Sequence, residues 1–262
     1  MVKCVLTIAG SDSSGGGGIQ ADLKTFFAFG VYGMSAITSV TAQNSLRVNG
    51  IVSLSGEFIS LQIESVLSDF KIEGIKIGML YDRDTVITVA RKINENNIPV
   101  LVVDPVMHAK GGETLLTSNS VGILKRELIS QSTLVTPNVP EAEVLSQMII
   151  ESPDDAKKAA EKIYNLGCKS VLITGGHLKG EPVDVLFDGQ GFTYFKGKRI
   201  DSINTHGTGC TFSAAITANL VKGNSLKESI RISKGYLYRA IKQSFNLGKG
   251  HGPLNHFVQV DK

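Results

Sequence analysis

Four short segments of this chain gather residue types that chemistry uses. The sharpest is Asn204-Thr205-His206-Gly207-Thr208-Gly209-Cys210, which runs into the Ala-rich helical pattern Thr211-Phe212-Ser213-Ala214-Ala215-Ile216. Successive backbone N–H groups at a helix start bind an anion without any charged side chain, and glycines there let a phosphate approach closely. The same helix end lowers the pKa of a thiol, so Cys210 is a candidate thiolate or general base; its alternative is a small residue opening a core helix. The second segment, Val103-Asp104-Pro105-Val106-Met107-His108-Ala109-Lys110, ends an apolar run on Asp104. A lone carboxylate in that place is costly unless paired or bound to a metal. Hydrated Mg²⁺, which takes one or two protein carboxylates beside phosphates, suits it; the plain alternative is a turn Asp before proline. His108 and Lys110 show no partner and are expected on a solvated face.

In the third segment, Thr136-Pro137-Asn138-Val139-Pro140-Glu141, Asn138 and Glu141 have the spacing of a helix N-cap and its reciprocal acid. Glu141 is also placed to orient a metal-bound water. The fourth is the run Gly10-Ser11-Asp12-Ser13-Ser14-Gly15-Gly16-Gly17-Gly18, which opens a helix containing Asp22. No Gly-Lys-Ser/Thr closes it, so it is not a P-loop. Gly16, Gly18 and Ala21 fit the dinucleotide pattern, but the acid that binds the ribose is missing. Thr41-Ala42-Gln43-Asn44 stands in its place and the next carboxylate is Glu57, which argues against a nicotinamide enzyme. The glycines fit a backbone that approaches a flat ligand, with Asp22 and Gln43 hydrogen-bonding a heterocycle from two sides. A flexible turn with Ser13 or Ser14 near a helix start is the alternative. Cys4 and Cys168 read as core residues. His177, His206, His251 and His256 lack zinc spacing.

These segments need a scaffold, and the pattern supplies one. Strands are expected at 4–9, 34–41, 74–77, 100–103, 133–135 and 170–174, and helices at 19–29, 57–70, 82–95, 118–129 and 154–166. The alternation predicts a mainly parallel sheet with helices on both faces. Val183 to Ile203 reads as two antiparallel strands added at an edge, followed by helices at 211–221 and 226–244. Ligands of such sheets bind beyond the carboxyl ends of the strands, which is where the four segments fall.

Composition excludes other classes. Glycine is high, at 28 of 262 residues, and charged residues make up only 19 %. With 42 % apolar residues this is a folding chain rather than a disordered one. Lys and Arg number 27 against 24 Asp and Glu, a net charge of +3, and tryptophan is absent. Neither a nucleic-acid surface nor a membrane span is expected. The odd, scattered cysteines fit a reducing compartment, so the cytoplasm is expected.

Taken together, the segments resemble the hydroxymethylpyrimidine and phosphomethylpyrimidine kinases of thiamine synthesis, within the ribokinase-like superfamily. The residues that carry the resemblance are Thr7-Ile8-Ala9-Gly10-Ser11-Asp12, Gly18-Ile19-Gln20-Ala21-Asp22-Leu23-Lys24-Thr25-Phe26, Thr41-Ala42-Gln43-Asn44, Lys76-Ile77-Gly78-Met79-Leu80, Asp104-Pro105-Val106-Met107 and Thr136-Pro137-Asn138. The closing matches are His206-Gly207-Thr208-Gly209-Cys210-Thr211 and Gly248-Lys249-Gly250-His251-Gly252-Pro253-Leu254-Asn255-His256-Phe257.

The resemblance implies one ribokinase-like α/β domain over 1–262, a three-layer sandwich around a mainly parallel sheet. It implies transfer of the γ-phosphoryl of Mg-ATP to a hydroxymethylpyrimidine and then to its monophosphate. Gly10, Asp22, Gln43, Met79 and Val106 would line the pyrimidine pocket. Asn138 and Thr174 would lie by ATP, Asp104 and Glu141 would manage Mg²⁺, and Gly207, Thr208, Gly209 and Cys210 would form the anion hole and base. Relatives are commonly homodimers. One departure stands out: Thr174-Gly175-Gly176-His177 occupies the place of the usual Lys-Gly-Gly-His. That form also resembles some bacterial pyridoxine kinases, so a vitamin B6 ring is the alternative substrate. A pyrimidine-binding protein without catalysis is the reading from another class.

Overall fold

The computed structural model describes residues 2–178 and 180–260. The chain begins with β1 (Cys4–Asp12), α1 (Gly18–Ala28), β2 (Tyr32–Gln43), β3 (Val48–Ser53), α2 (Gly56–Leu67) and β4 (Gly74–Ile77). It continues with α3 (Arg83–Asn94), β5 (Leu101–Val103), α4 (Ser118–Ile123), β6 (Leu134–Val135), α5 (Val139–Ser146) and α6 (Pro153–Tyr164). β7 (Val171–Ile173), β8 (Val183–Phe187), β9 (Phe192–Lys196), α7 (Thr208–Val221) and α8 (Leu226–Lys242) complete it. A nine-stranded sheet runs in the order β3-β2-β1-β4-β5-β6-β7-β8-β9. The central strands β2, β1, β4, β5, β6 and β7 are parallel to one another. β3 pairs antiparallel with β2 at one edge, and β8 and β9 add antiparallel at the other.

The strands lack polar alternation because apolar cover lies on both faces. Leu101 and Val103 enter one cluster with side chains of α2 to α6, while Val102 between them packs with Phe212 and Ile216 of α7. Val171 and Ile173 against Leu172 repeat the pattern, as the two-residue period of a strand requires. On the second face α1, α7 and α8 meet around Phe26, Phe29, Ala214, Ala218 and Tyr236. The result is the expected three-layer sandwich.

Caps agree with the local sequence. Asn138 accepts from Glu141 N at 3.0 Å and Glu141 Oε2 accepts from Asn138 N at 2.9 Å, the expected reciprocal box. The helix expected over 118–129 keeps α geometry only to Ile123, then widens by one π turn and tightens through Gln131. β3 was not expected. It is an edge strand, exposed or half-exposed along its length, with Gly50 in the middle, so no alternating apolar pattern marks it.

Candidate active site

The carboxyl ends of the parallel strands and the N-terminus of α7 open into one cleft of about 1540 Å³. β1 brings Gly10 and Asp12, β2 brings Gln43, and the turn after β4 brings Met79. Asp104 and Val106 follow β5, Asn138 and Glu141 follow β6, and Thr174 follows β7. Gly207 to Cys210 form the wall at α7. Gly10 has a steric reason to lack a side chain, because a Cβ there would lie 2.9 Å from both Met79 Sδ and Ser39 Oγ.

Of the four residues expected to form an anion hole, one has its amide engaged within the turn. Gly207 takes φ +82 and carries no side chain, since a Cβ would come within 1.8 Å of Gly16 O. Thr208 N turns back to Thr205 O at 3.3 Å, and its hydroxyl donates to the same oxygen at 2.7 Å. The N–H groups of Gly207, Gly209 and Cys210 have no backbone acceptor among the described residues, and no side chain caps the helix. Those three amides, at the positive end of α7, are open to an anion such as a phosphoryl oxygen.

Cys210 is half-buried at the cleft wall. Helix-end placement was expected to lower its pKa, and the structure reverses that. Burial pushes the thiol up to about 12, Lys76 and the Gly18 amide pull against it, and the charges of Asp22 and Asp104 add to the rise. At neutral pH the resting side chain is a thiol.

Asp22 is also placed differently from expectation. It does not line the cleft. It points from the inner face of α1 to the sheet, where Lys76 Nζ donates to its oxygens at 2.9 and 3.0 Å and Thr7 Oγ1 donates at 2.6 Å. Both side chains are fully buried, and burial lifts the Asp22 carboxyl above its ordinary range although Lys76 and Thr7 pull it down. Burial works against the Lys76 ammonium, but Asp22, Cys210 and Asp104 outweigh it and hold the group above the ordinary range.

Asp104 is partnered rather than alone, by Ser213 Oγ at 3.0 Å and Lys76 Nζ at 3.9 Å. Burial nevertheless raises its pKa. Burial, and after it the charge of Asp104, push Glu141 up to about 8. Two buried carboxylates, both held above the ordinary range and one of them pushed up by the charge of the other, suit a cation. Among the described residues no cluster of three or more His, Cys, Asp or Glu forms a cage. The pair therefore fits an ion that keeps water and phosphate oxygens as its other ligands, as Mg²⁺ does.

Several residues escaped sequence reasoning. Asp12 and His206 meet across the cleft floor at 2.7 Å. Burial disfavours the charged Asp12, yet hydrogen bonds from His206, Ser14 and Gly17 bring it down to about 2. Its stabilising effect is complete above the ordinary value of 3.8 and is lost as pH falls through about 2. Thr136 Oγ1 is buried at the cleft with no hydrogen-bond partner among the described residues, so it is open to a ligand. His108 and Lys110 are exposed but sit on the cleft wall, not on a remote face. Lys110 and Arg199 lie near enough to His177 to help burial lower its pKa.

Gly10, Gln43, Met79 and Val106 line this cleft, as do the apolar Phe195, Leu237 and Ile241 and the cations Lys198 and Arg199. If a flat ring sits against Gly10, Met79 and Val106 with Gln43 as its polar partner, Gln43→Leu is expected to raise KM for the ring substrate about tenfold to a hundredfold with kcat within a few-fold, the cost of one lost hydrogen bond. Steady-state kinetics with the ring substrate varied checks this, and an unchanged KM would remove Gln43 from the pocket.

The family model described as phosphomethylpyrimidine kinase matches residues 12–255. A Bacillus subtilis hydroxymethylpyrimidine/phosphomethylpyrimidine kinase is 49 % identical over 255 residues, covering 97 % of this chain and 94 % of the relative. A phosphomethylpyrimidine kinase structure from Clostridium difficile superposes with a TM-score of 0.82 at 43 % identity, over 92 % of this chain and all of that one. The ADP complex of a Bacillus subtilis pyridoxal kinase superposes with a TM-score of 0.90 at 40 % identity, over 98 % of each chain. No helix among the described residues is long and apolar enough to cross a membrane. With its ribokinase-like sandwich and the family match across nearly its whole length, the chain belongs to the phosphomethylpyrimidine kinase family.

Proposed function

We infer that this chain is an ATP-dependent kinase that phosphorylates hydroxymethylpyrimidine and then its monophosphate, in thiamine biosynthesis. The observation that carries this reading is the set of amides at Gly207, Gly209 and Cys210, without acceptors among the described residues, in a cleft that also holds Gly10, Gln43, Met79, Asp104 and Glu141. A ring seated on Gly10, Met79 and Val106 directs its hydroxymethyl group toward those amides, and the nucleotide fills the cleft past Asn138 and Thr174. The hydroxyl oxygen bonds to the γ-phosphorus while the bond to the β-bridging oxygen breaks, and ADP leaves. In its thiolate form Cys210 takes the hydroxyl proton. Positioning and charge supply most of the acceleration in such transfers.

Asp104 and Glu141 would hold Mg²⁺, which supplies neutralising charge to the transferring phosphoryl group. The homodimer implied by the family would bury apolar side chains that one chain leaves exposed, among them Val40 and Val52, which face each other in register across β2 and β3.

A second reading has its own support, because the superposition on a pyridoxal kinase, at a TM-score of 0.90, is closer than that on the phosphomethylpyrimidine kinase, at 0.82. ADP release with Mg-ATP separates them. Two ADP per hydroxymethylpyrimidine is the expected result; turnover of pyridoxal alone would move the chain to vitamin B6 phosphorylation, and silence on both would leave a binding protein.

A further inference from the structure

One carboxylate ties together two parts of the site that the transfer reaction must keep in register. Asp12 Oδ2 accepts from Gly17 N at 2.7 Å and lies 2.7 Å from His206 Nε2, while Oδ1 accepts from Ser14 N and Ser14 Oγ, each at 2.8 Å. The glycine loop and the residue just before Gly207 thus share a single anchor. The packing is as close as the bonding. A Cβ at Gly16 would lie 2.3 Å from His206 Cδ2, and one at Gly17 would lie 3.1 Å from His206 Cε1.

The same loop holds the reader of the ring. Ser13 Oγ donates to Gln43 O and accepts from Gln43 N, both at 2.8 Å. Thr41 Oγ1 lies 3.2 Å from Gln43 Oε1, and Gln43 Nε2 is 3.4 Å from His206 Nε2. An ionised Asp12 only accepts, so His206 Nε2 carries the hydrogen. That nitrogen then has no lone pair for the Gln43 amide, whose N–H groups remain available to a ligand in the cleft.

We propose that Asp12 and His206 are positioning residues for phosphoryl transfer, holding Gln43 and the glycine loop in fixed register with the anion hole at Gly207 to Cys210. The proposal rests on the kinase reading above. Its physical basis is the steep dependence of rate on alignment, since a displacement of about 1 Å can cost about a hundredfold. A ring that slides relative to the hole still binds nucleotide, so the defect belongs in kcat and in ring affinity, not in KM for ATP.

The test compares His206→Ala, His206→Gln and Gly16→Ala for kcat, both KM values and melting temperature. The glutamine amide nitrogen can occupy the place of Nε2 and donate to Asp12, whereas a methyl group at Gly16 displaces the imidazole without removing it. His206→Ala and Gly16→Ala are expected to lower kcat about 10- to 100-fold and raise ring KM several-fold, with ATP KM within twofold. His206→Gln is expected to recover most of that loss. Equal defects in His206→Gln and His206→Ala at unchanged melting temperature would overturn the proposal, as would kcat within twofold of wild type in His206→Ala. Wild-type protein that turns over neither ring would sink the kinase reading instead. The pair would then be judged by calorimetric ring affinity, which His206→Ala must weaken and His206→Gln restore.

Discussion

Replacing Cys210 by alanine is expected to lower kcat by about 10²- to 10⁴-fold, the range of a positioned general base, with ring affinity changed by no more than a few-fold. The thiol stands at the start of α7 on the cleft wall, among the amides proposed to hold the phosphoryl group. Removing one sulfur from a cleft of this size takes little contact from a bound ring. The pH dependence sharpens the claim. Burial holds the thiol near 12, so below that value the thiolate fraction grows about tenfold per pH unit. When transfer limits turnover, kcat should climb between about pH 7 and pH 9 in the wild type and lose that slope in Cys210→Ala. A flat wild-type profile together with near-normal turnover of the alanine variant would reduce Cys210 to a packing residue.

The same residue shows where reading a sequence for chemistry succeeds and where it stops. Gly207 to Cys210 were legible because a glycine-rich turn entering a helix has one geometry whatever surrounds it. The ionisation of Cys210 was not, since the helix end and burial act in opposite senses and only the packed structure gives their balance. Asp104 and Glu141 were legible as acids at strand ends. Asp22 was misread because its neighbours Ala21, Thr25 and Phe26 are buried with it, so its helical face looks into the sheet and away from the cleft. Its partner carried a signal that went unused. Lys76 lies in Gly74-Ile75-Lys76-Ile77, a strand buried at every position, and a lone cation there requires a counter-charge. Asp12 and His206 are 194 positions apart, and neither spacing nor residue type announces that they touch.

Lys76→Met is expected to be the most damaging single change to the fold. It leaves Asp22 buried with only the Thr7 hydroxyl against its charge, and removes the one ammonium within 4 Å of Asp104 among the described residues. Breaking a buried pair from one side typically costs about 3–5 kcal/mol, which in a chain of this size is a fall in melting temperature of about 6 to 20 °C. Adding Asp22→Asn should return a large part of the loss, because the amide oxygen still accepts from Thr7 and no bare charge remains. The pH dependence has a definite sign. In Lys76→Met the uncompensated carboxylate binds its proton more tightly folded than unfolded. The deficit is therefore smallest below about pH 4, where Asp22 is protonated in both states, and widens as pH rises. Activity should fall further than stability explains, since Lys76 is also the main charge that holds the Cys210 thiol down. Thermal melts of both variants across that pH range decide the matter. A Lys76→Met protein that melts with the wild type at neutral pH would mean that native Asp22 carries no charge for Lys76 to balance.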